Sequence, residues 1–373
     1  MDDGLCGELS NMKEVLIIAD SDPRKKVIGG VGIYSYNLAK YLTEKGFKVI
    51  FVGKKQEGEV INKLQNFDFI ELNKRPNQSN YVFLKNLFKL AFKLKLNGTT
   101  VIHSQRPDWI VPFAKFPNRK IVTLHGSHLK NVYLKKGFVI GKIYSKLEKK
   151  GLEIADVVIS VSEENTNYYK KIYENDKEVT KKFITIPIGI DLNKFQNIDK
   201  NKSRKQYGFK KSDKVVVYVG RLEKEKNLQI LIRACHEAGV KLFIVGEGRE
   251  EEYLKKFASS LNSQTIFHKS VNNEKIPNVL ACGDIFALTS LHEGMPTVVI
   301  EALAAGLPVI STNVGDVHKI VINGKTGFIV NEQNITGKLK NLIKKCSGYR
   351  NNCIKISKTF SWDLVCDRIQ KFY

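Results

Sequence analysis

No apolar run in this 373-residue chain approaches the ~18 residues that cross a bilayer as a helix, so no membrane-spanning segment is expected. The first residues lack the basic and apolar halves of a signal peptide, and the expected compartment is the cytoplasm. Residues 1–11 read as a disordered tail, with Met12 as a candidate start. Cysteine is sparse: Cys6, Cys235, Cys282, Cys346, Cys353 and Cys366 form no CxxC pair and no metal-like grouping. That pattern points to reduced thiols and argues against a disulfide scaffold or a structural zinc. Acidic residues are in deficit, 38 against 61 basic, giving a formal charge of +23 that favours nucleotide phosphates or an acidic membrane surface as partners. Scattered lysines on solvated helix faces explain part of the excess. Neither zinc-finger spacing nor an aromatic RNP motif accompanies the charge, so nucleic acid is not an expected partner.

The length exceeds what one hydrophobic core usually supports and favours two domains. Short apolar runs alternate twice with longer helical patterns, the signature of βα units and parallel sheets. The first series places strands at Val15–Asp20, Val49–Gly53, Thr100–His103, Ile121–His125, Val157–Val161 and Phe183–Ile186. The second places them at Lys214–Val219, Lys241–Val245, Thr265–Phe267, Ile285–Thr289, Val309–Ser311 and Gly327–Val330. The segment 191–213, rich in Asn, Lys and Gln, sets the expected boundary near Phe195. Two doubly wound sheets facing each other would leave a cleft at the carboxyl ends of their strands, suited to a phosphate-bearing ligand.

The stretch SLHEGMPTVVIEALAAGLPV, Ser290 to Val309, is the most informative. A strand ends before it, a loop turns the chain, and Pro296 suits the first position of a helix because that position needs no N–H. Gly306 is the expected stop. The amides of Met295, Thr297 and Val298 then form a helix N-terminus open to a phosphate. Glu293 and Glu301 would repel that phosphate, but each can accept two hydrogen bonds from paired hydroxyls such as those of a ribose or a hexose. Taken alone, either glutamate is equally a dipole partner or a solvated helix residue.

Two glutamates separated by seven residues, in the setting EGMPTVVIEALAAGLPV, resemble the signature of the retaining nucleotide-sugar glycosyltransferases of family four. Members have the α/β GT-B fold: two facing Rossmann-like domains, an interdomain cleft, and a C-terminal helix returning to the first domain. The resemblance implies an N-terminal, acceptor-side domain at 12–194, a C-terminal, donor-side domain at 195–358 and a crossover helix at 359–373. VGRLEKEKNL resembles the family's basic motif and makes Arg221 and Lys226 the cations that grip the donor pyrophosphate. VIGGVGIYSYNLAKYL resembles the N-terminal glycine loop, with Gly29 and Gly30 admitting the donor phosphates and the acceptor. TLHGSH matches the first-domain histidine at His125, whereas His103 and His128 read as structural. GEGRE resembles a strand-end turn, and the segment 267–273 matches the one that lines the base, around Val271. Trp362, in the closing helix, reads as packing.

Three positions depart from the family pattern: Lys269 stands where glycine is common, Lys319 where glutamate is common, and Ile188 where asparagine is frequent. The first leaves the base open, and the second alters charge near the expected cleft. A nicotinamide enzyme is excluded, because GVGIYS lacks the third glycine of the dinucleotide fingerprint and FVGKK offers no acid for a ribose. YVFLKNLFKLAFKLKLNG, with Lys85, Lys89, Lys93 and Lys95, fits either a helix against the sheet or one at an anionic membrane.

The implied activity is metal-independent, retaining transfer of a sugar from a nucleoside diphosphate to an acceptor hydroxyl, with no cofactor beyond the donor substrate. The implied acceptor is a glycan or glycolipid, in cell-surface polysaccharide or glycolipid synthesis, with peripheral association at the inner face of the membrane. The alternative is a catalytically inactive GT-B scaffold that binds nucleotide sugar.

Overall fold

Strand β1, Glu14–Ile18 (EVLII), is buried along its whole length because it lies inside a parallel sheet with a strand on each side and helices on both faces. The structure, a computed structural model, describes residues 13–24, 30–55, 67–73, 78–126, 128–293 and 295–373. The chain divides into two units, Met1–Gly189 with Trp362–Tyr373, and Ile190–Ser361.

In the first unit β1 is joined by β2 (Lys48–Gly53), β3 (Asp68–Glu71), β4 (Val101–Ser104), β5 (Lys120–Leu124), β6 (Val157–Ser160) and β7 (Phe183–Thr185). Their order is β3-β2-β1-β4-β5-β6-β7, and every pairing is parallel. The order reverses direction beside β1, the switch point at which doubly wound sheets present loops to a ligand. Strand β3 was not expected from the sequence: DFIE is short, begins and ends on a carboxylate, and needs only an edge position, so it carries no long apolar run.

The second unit repeats the plan with β8 (Val215–Val219), β9 (Lys241–Val245), β10 (Thr265–His268), β11 (Ile285–Leu288), β12 (Val309–Thr312) and β13 (Gly327–Val330). Their order is β10-β9-β8-β11-β12-β13, again parallel throughout. Helices close both faces; the Leu228–Ala238 helix (LQILIRACHEA) buries Leu228, Leu231, Ile232 and Cys235 against β8 and β9. At roughly 1.5–3 kcal/mol for each fully buried aliphatic side chain, such faces dominate the stability of either unit.

The division falls at Gly189/Ile190, slightly ahead of Phe195, because Ile190 and Phe195 both lie in the second unit's core. Residues 359–361 stay with that unit as well: Phe360 is in the same core, and its carbonyl accepts the Ile190 N–H at 2.8 Å. The closing helix, Trp362–Gln370, belongs to the first unit, where Val365, Cys366 and Ile369 pack with the Gly30–Glu44 helix. Trp362 packs as expected, its ring 5.3 Å from that of Tyr34 and against the Gly189 backbone. No described helix is long and apolar enough to cross a membrane.

Candidate active site

Three loops at the carboxyl ends of β8, β9 and β11 build the site of the second unit. After β8 the chain runs through Arg221 into a 3-10 turn, Lys224–Lys226, and Asn227 then adopts a left-handed conformation (φ 48°) before the next helix. Asparagine tolerates that region better than other side chains that carry a Cβ. After β9 the turn GEGRE lies directly on this loop. A Cβ on Gly246, whose φ is +156°, would stand 1.8 Å from the Gly220 carbonyl oxygen, so only glycine permits the approach. Main-chain bonds hold the two together, Leu222 N–H donating to Glu247 O at 2.9 Å and Glu250 N–H to Leu222 O at 2.9 Å.

The loop after β11 is fastened to the first by its backbone. Leu291 N–H donates to Glu225 O at 2.8 Å, Thr289 Oγ1 to Lys226 O at 3.0 Å, and Thr312 Oγ1, from the end of β12, to Ser290 O at 2.6 Å. These ties deliver Lys226 to Glu293: Nζ donates to Oε1 at 2.7 Å, and Ser290 Oγ donates to the same oxygen at 2.8 Å. Both charged side chains are largely withdrawn from solvent, 13 % exposed for lysine and 18 % for glutamate.

The helix beyond this loop, Thr297–Ala304, begins one residue later than expected, with Pro296 as its extended cap (φ −73°, ψ 107°). Val299 N–H already bonds the Pro296 carbonyl at 3.0 Å, so Thr297 and Val298 supply the earliest helical amides, and neither has an acceptor among the described residues. Gly306 follows the end of the helix with φ +79°. Met295, Val298 and Val271 are half-buried and pack against the same core cluster of the second unit.

Glu301, further along that helix, is half-buried, and burial pushes its carboxyl up to about 7, against a smaller lowering by Lys194. Arg221 behaves differently from Lys226. Its side chain is 71 % exposed and its Nη2 donates to Glu225 Oε1 at 2.9 Å, so the structure unites Lys226 with Glu293 and leaves Arg221 turned to solvent. Among the departures, Lys319 lies 3.5 Å from Asp316, Lys269 is exposed, and Ile188 packs on the first unit's core.

In the first unit, Gly29 lies outside the described residues, while Gly30 opens the Gly30–Glu44 helix. His125 follows β5 directly. Its Nε2–H donates to the Gln105 side-chain oxygen at 2.8 Å, and its ring meets that of Tyr34 edge-on at 4.7 Å. His103 is structural: fully buried between Tyr373 Oη (2.6 Å) and Thr123 Oγ1 (2.7 Å), its imidazole is held neutral by burial, down to about 3. The side chain of His128 lies outside the described residues.

Sequence reasoning passed over Ser290, Glu225 and Gln105. Ser290 and Gln105 are polar residues just past the carboxyl ends of central strands, the position at which such sheets place ligand contacts. Glu225 lies four residues after Arg221, and that spacing is the signal that could have flagged the pair.

Known proteins share both halves of this arrangement. The family model described as Glycosyltransferase Family 4 matches residues 28–194, and the one described as Glycosyl transferases group 1 matches residues 199–359. The chain belongs to the family-four glycosyltransferases. Among relatives of this glycosyltransferase, TuaC of Bacillus subtilis, named for teichuronic acid biosynthesis, is 36 % identical over 206 residues, 54 % of this chain. That match spans about half of TuaC's own length, 48 %. The N-acetyl-alpha-D-glucosaminyl L-malate synthase of Bacillus anthracis is 25 % identical over 83 % of this chain and 82 % of its own. Anabaena HepE, solved in complex with UDP and glucose, has a TM-score of 0.72 at 20 % identity and covers 96 % of this chain and 98 % of its own. The two Rossmann-like units are those of the GT-B fold.

Proposed function

We propose that this glycosyltransferase moves a sugar from a nucleoside diphosphate to an acceptor hydroxyl with retention of anomeric configuration, in the synthesis of a cell-surface polysaccharide or glycolipid. The observation that carries the reading is the Lys226–Glu293 pair at the start of the Thr297–Ala304 helix. A cation, a carboxylate and the first amides of a helix stand together there, matching a diphosphate on one side and a sugar diol on the other.

In this reading Thr297 and Val298 N–H groups and Lys226 hold the diphosphate, joined by Arg221 once it leaves Glu225. As the bond from the anomeric carbon to the diphosphate oxygen breaks, negative charge grows on the leaving oxygens and the sugar becomes oxocarbenium-like. Donors fixed in advance stabilise that charge without a metal ion. The acceptor hydroxyl attacks the same face, and its proton passes to the departing phosphate oxygen, so no enzyme nucleophile is needed. Glu293 orients the transferred sugar and Glu301 the ribose, while Val271 and Met295 flank the base. His125, tautomer fixed by Gln105, serves the first unit's side of the reaction with Gly29 and Gly30.

The name of TuaC and the UDP and glucose held by HepE support this choice of donor and product class. The test is a panel of nucleotide sugars screened for a rise in melting temperature, followed by a transfer assay on the best ligand with and without a chelator. Expected are selective stabilisation by one donor, chelator-resistant transfer and an axial or equatorial linkage that matches that of the donor. Inversion, or a strict magnesium requirement, overturns the mechanism. Binding without transfer or donor hydrolysis identifies an inactive scaffold.

A further inference from the structure

A cluster of apolar side chains on the first unit is exposed to solvent. The His128–Ile154 helix is broken at Gly137, whose φ of +80° and ψ of 178° turn the chain through a corner. Just past the corner Phe138, Val139, Ile140 and Ile143 are 65, 71, 50 and 59 % exposed. The corner is built rather than frayed. Tyr133 covers Gly141 so closely that a Cβ there would meet its ring at 2.3 Å, and the Tyr133 and Phe138 rings lie tilted at 46° with their centres 6.2 Å apart. The opposite face of the same helix buries Tyr144, Glu148 and Leu152, so this apolar tip is not a core surface left uncovered.

Lysines frame the tip. Lys136, Lys142 and Lys146 are exposed, Lys142 Nζ lies 4.7 Å from the centre of the Phe138 ring, and no carboxylate among the described residues pairs with any of the three. The Asn80–Lys93 helix repeats the pattern. It packs Phe83, Leu87 and Ala91 inward and turns Tyr81, Phe88 and Phe92 outward, interleaved with exposed Lys85 and Lys89. Both helices cover the same face of the first sheet, since Phe83 and Leu87 share one core cluster with Leu152 and Ala155.

We infer that this face docks on an anionic lipid bilayer, with Phe138, Val139, Ile140 and Ile143 entering the acyl boundary while the surrounding lysines meet lipid phosphates. Exposed aromatic and aliphatic side chains ringed by lysine suit that interface, where the stems lie along apolar surface and the ammonium groups reach the headgroups. A second copy of the chain is the poorer occupant, because pairing two such faces would oppose lysine to lysine. The inference adds a surface to the proposed function without depending on donor chemistry, and it calls for lipid binding with no sugar nucleotide present.

The full chain is tested by flotation with phosphatidylcholine vesicles, with and without phosphatidylglycerol. It should float with the anionic vesicles, far less with the neutral ones, and less as salt rises, each lysine contributing about fivefold. Combined F138S, V139S, I140S and I143S should lower binding by about tenfold or more at an unchanged melting temperature. As a second probe that keeps the tip apolar, Phe138→Trp should shift its emission to the blue on binding and be quenched by brominated lipids. Failure to float, equal flotation of the serine variant, a tryptophan that stays in water, or a tip-dependent dimer in solution overturns the inference. None of those results bears on transfer to a soluble acceptor.

Discussion

Replacing Glu293 with glutamine should make the enzyme bind its nucleoside diphosphate more tightly while slowing transfer. In the structure Lys226 is engaged by the carboxylate at 2.7 Å, and both side chains are mostly shielded from water. A diphosphate claiming Lys226 must loosen that contact. Glutamine keeps an oxygen for Ser290 and for Lys226, but a neutral acceptor holds an ammonium roughly half as strongly as a carboxylate. If a charged hydrogen bond of this kind contributes about 1.5–3 kcal/mol, the variant releases about 0.75–1.5 kcal/mol, roughly a three- to tenfold drop in the dissociation constant. Removing the nearby negative charge acts in the same direction, and shielding limits its screening by salt. Titration calorimetry with the diphosphate identified by the donor panel measures the constant directly. Lys226→Gln is the control and should weaken binding. Unchanged or weaker binding by Glu293→Gln would refute the idea that Lys226 is shared between the carboxylate and the ligand.

Arg221→Ala should barely alter stability, since an exposed pair with Glu225 contributes at most about 1 kcal/mol, yet lower turnover by about 100-fold. Unaltered kinetics would remove Arg221 from the reaction. Glu301 has a folded-state carboxyl at about 7 against an ordinary 4.5, so the folded state takes up its proton first as pH falls. Its contribution is therefore unfavourable above about 7 and relieved as pH falls toward 4.5, by on the order of 3 kcal/mol at most. Denaturation midpoints of wild type minus Glu301→Gln across that range should rise toward acid, and a flat difference contradicts the burial argument. Gly246→Ala, forced against the Gly220 carbonyl, should cost on the order of 2 kcal/mol in urea denaturation.

The interior strands could be read directly because parallel strands covered on both faces are unbroken apolar runs, as VVVYV and KLFIV are. Strand β3 escaped because DFIE supplies an edge, where burial on both faces is not required. The start of the helix at Pro296 was readable to within one residue from proline alone. Which cation would reach Glu293 was not, because Arg221 and Lys226 share one loop and only the ties from Leu291 N–H and Thr289 Oγ1 decide which is delivered. The Tyr81–Gly98 stretch posed a choice that periodicity could not resolve: apolar residues occupy so much of the helix circumference that it packs on the sheet and exposes aromatics at once.

The loop after β11 is held chiefly through carbonyl oxygens: Glu225 O and Lys226 O of the β8 loop accept from it, and its own Ser290 O accepts from Thr312 at the end of β12. All three of the residues that carry those oxygens also carry side chains used for other purposes. A catalytic framework stitched this way keeps its course when the outward-facing groups are exchanged, so mutations that redirect sugar or base preference need not be bought back with stabilising changes elsewhere. Lys269, inside the segment 267–273 proposed to line the base, is the position from which such drift in preference would most readily be engineered.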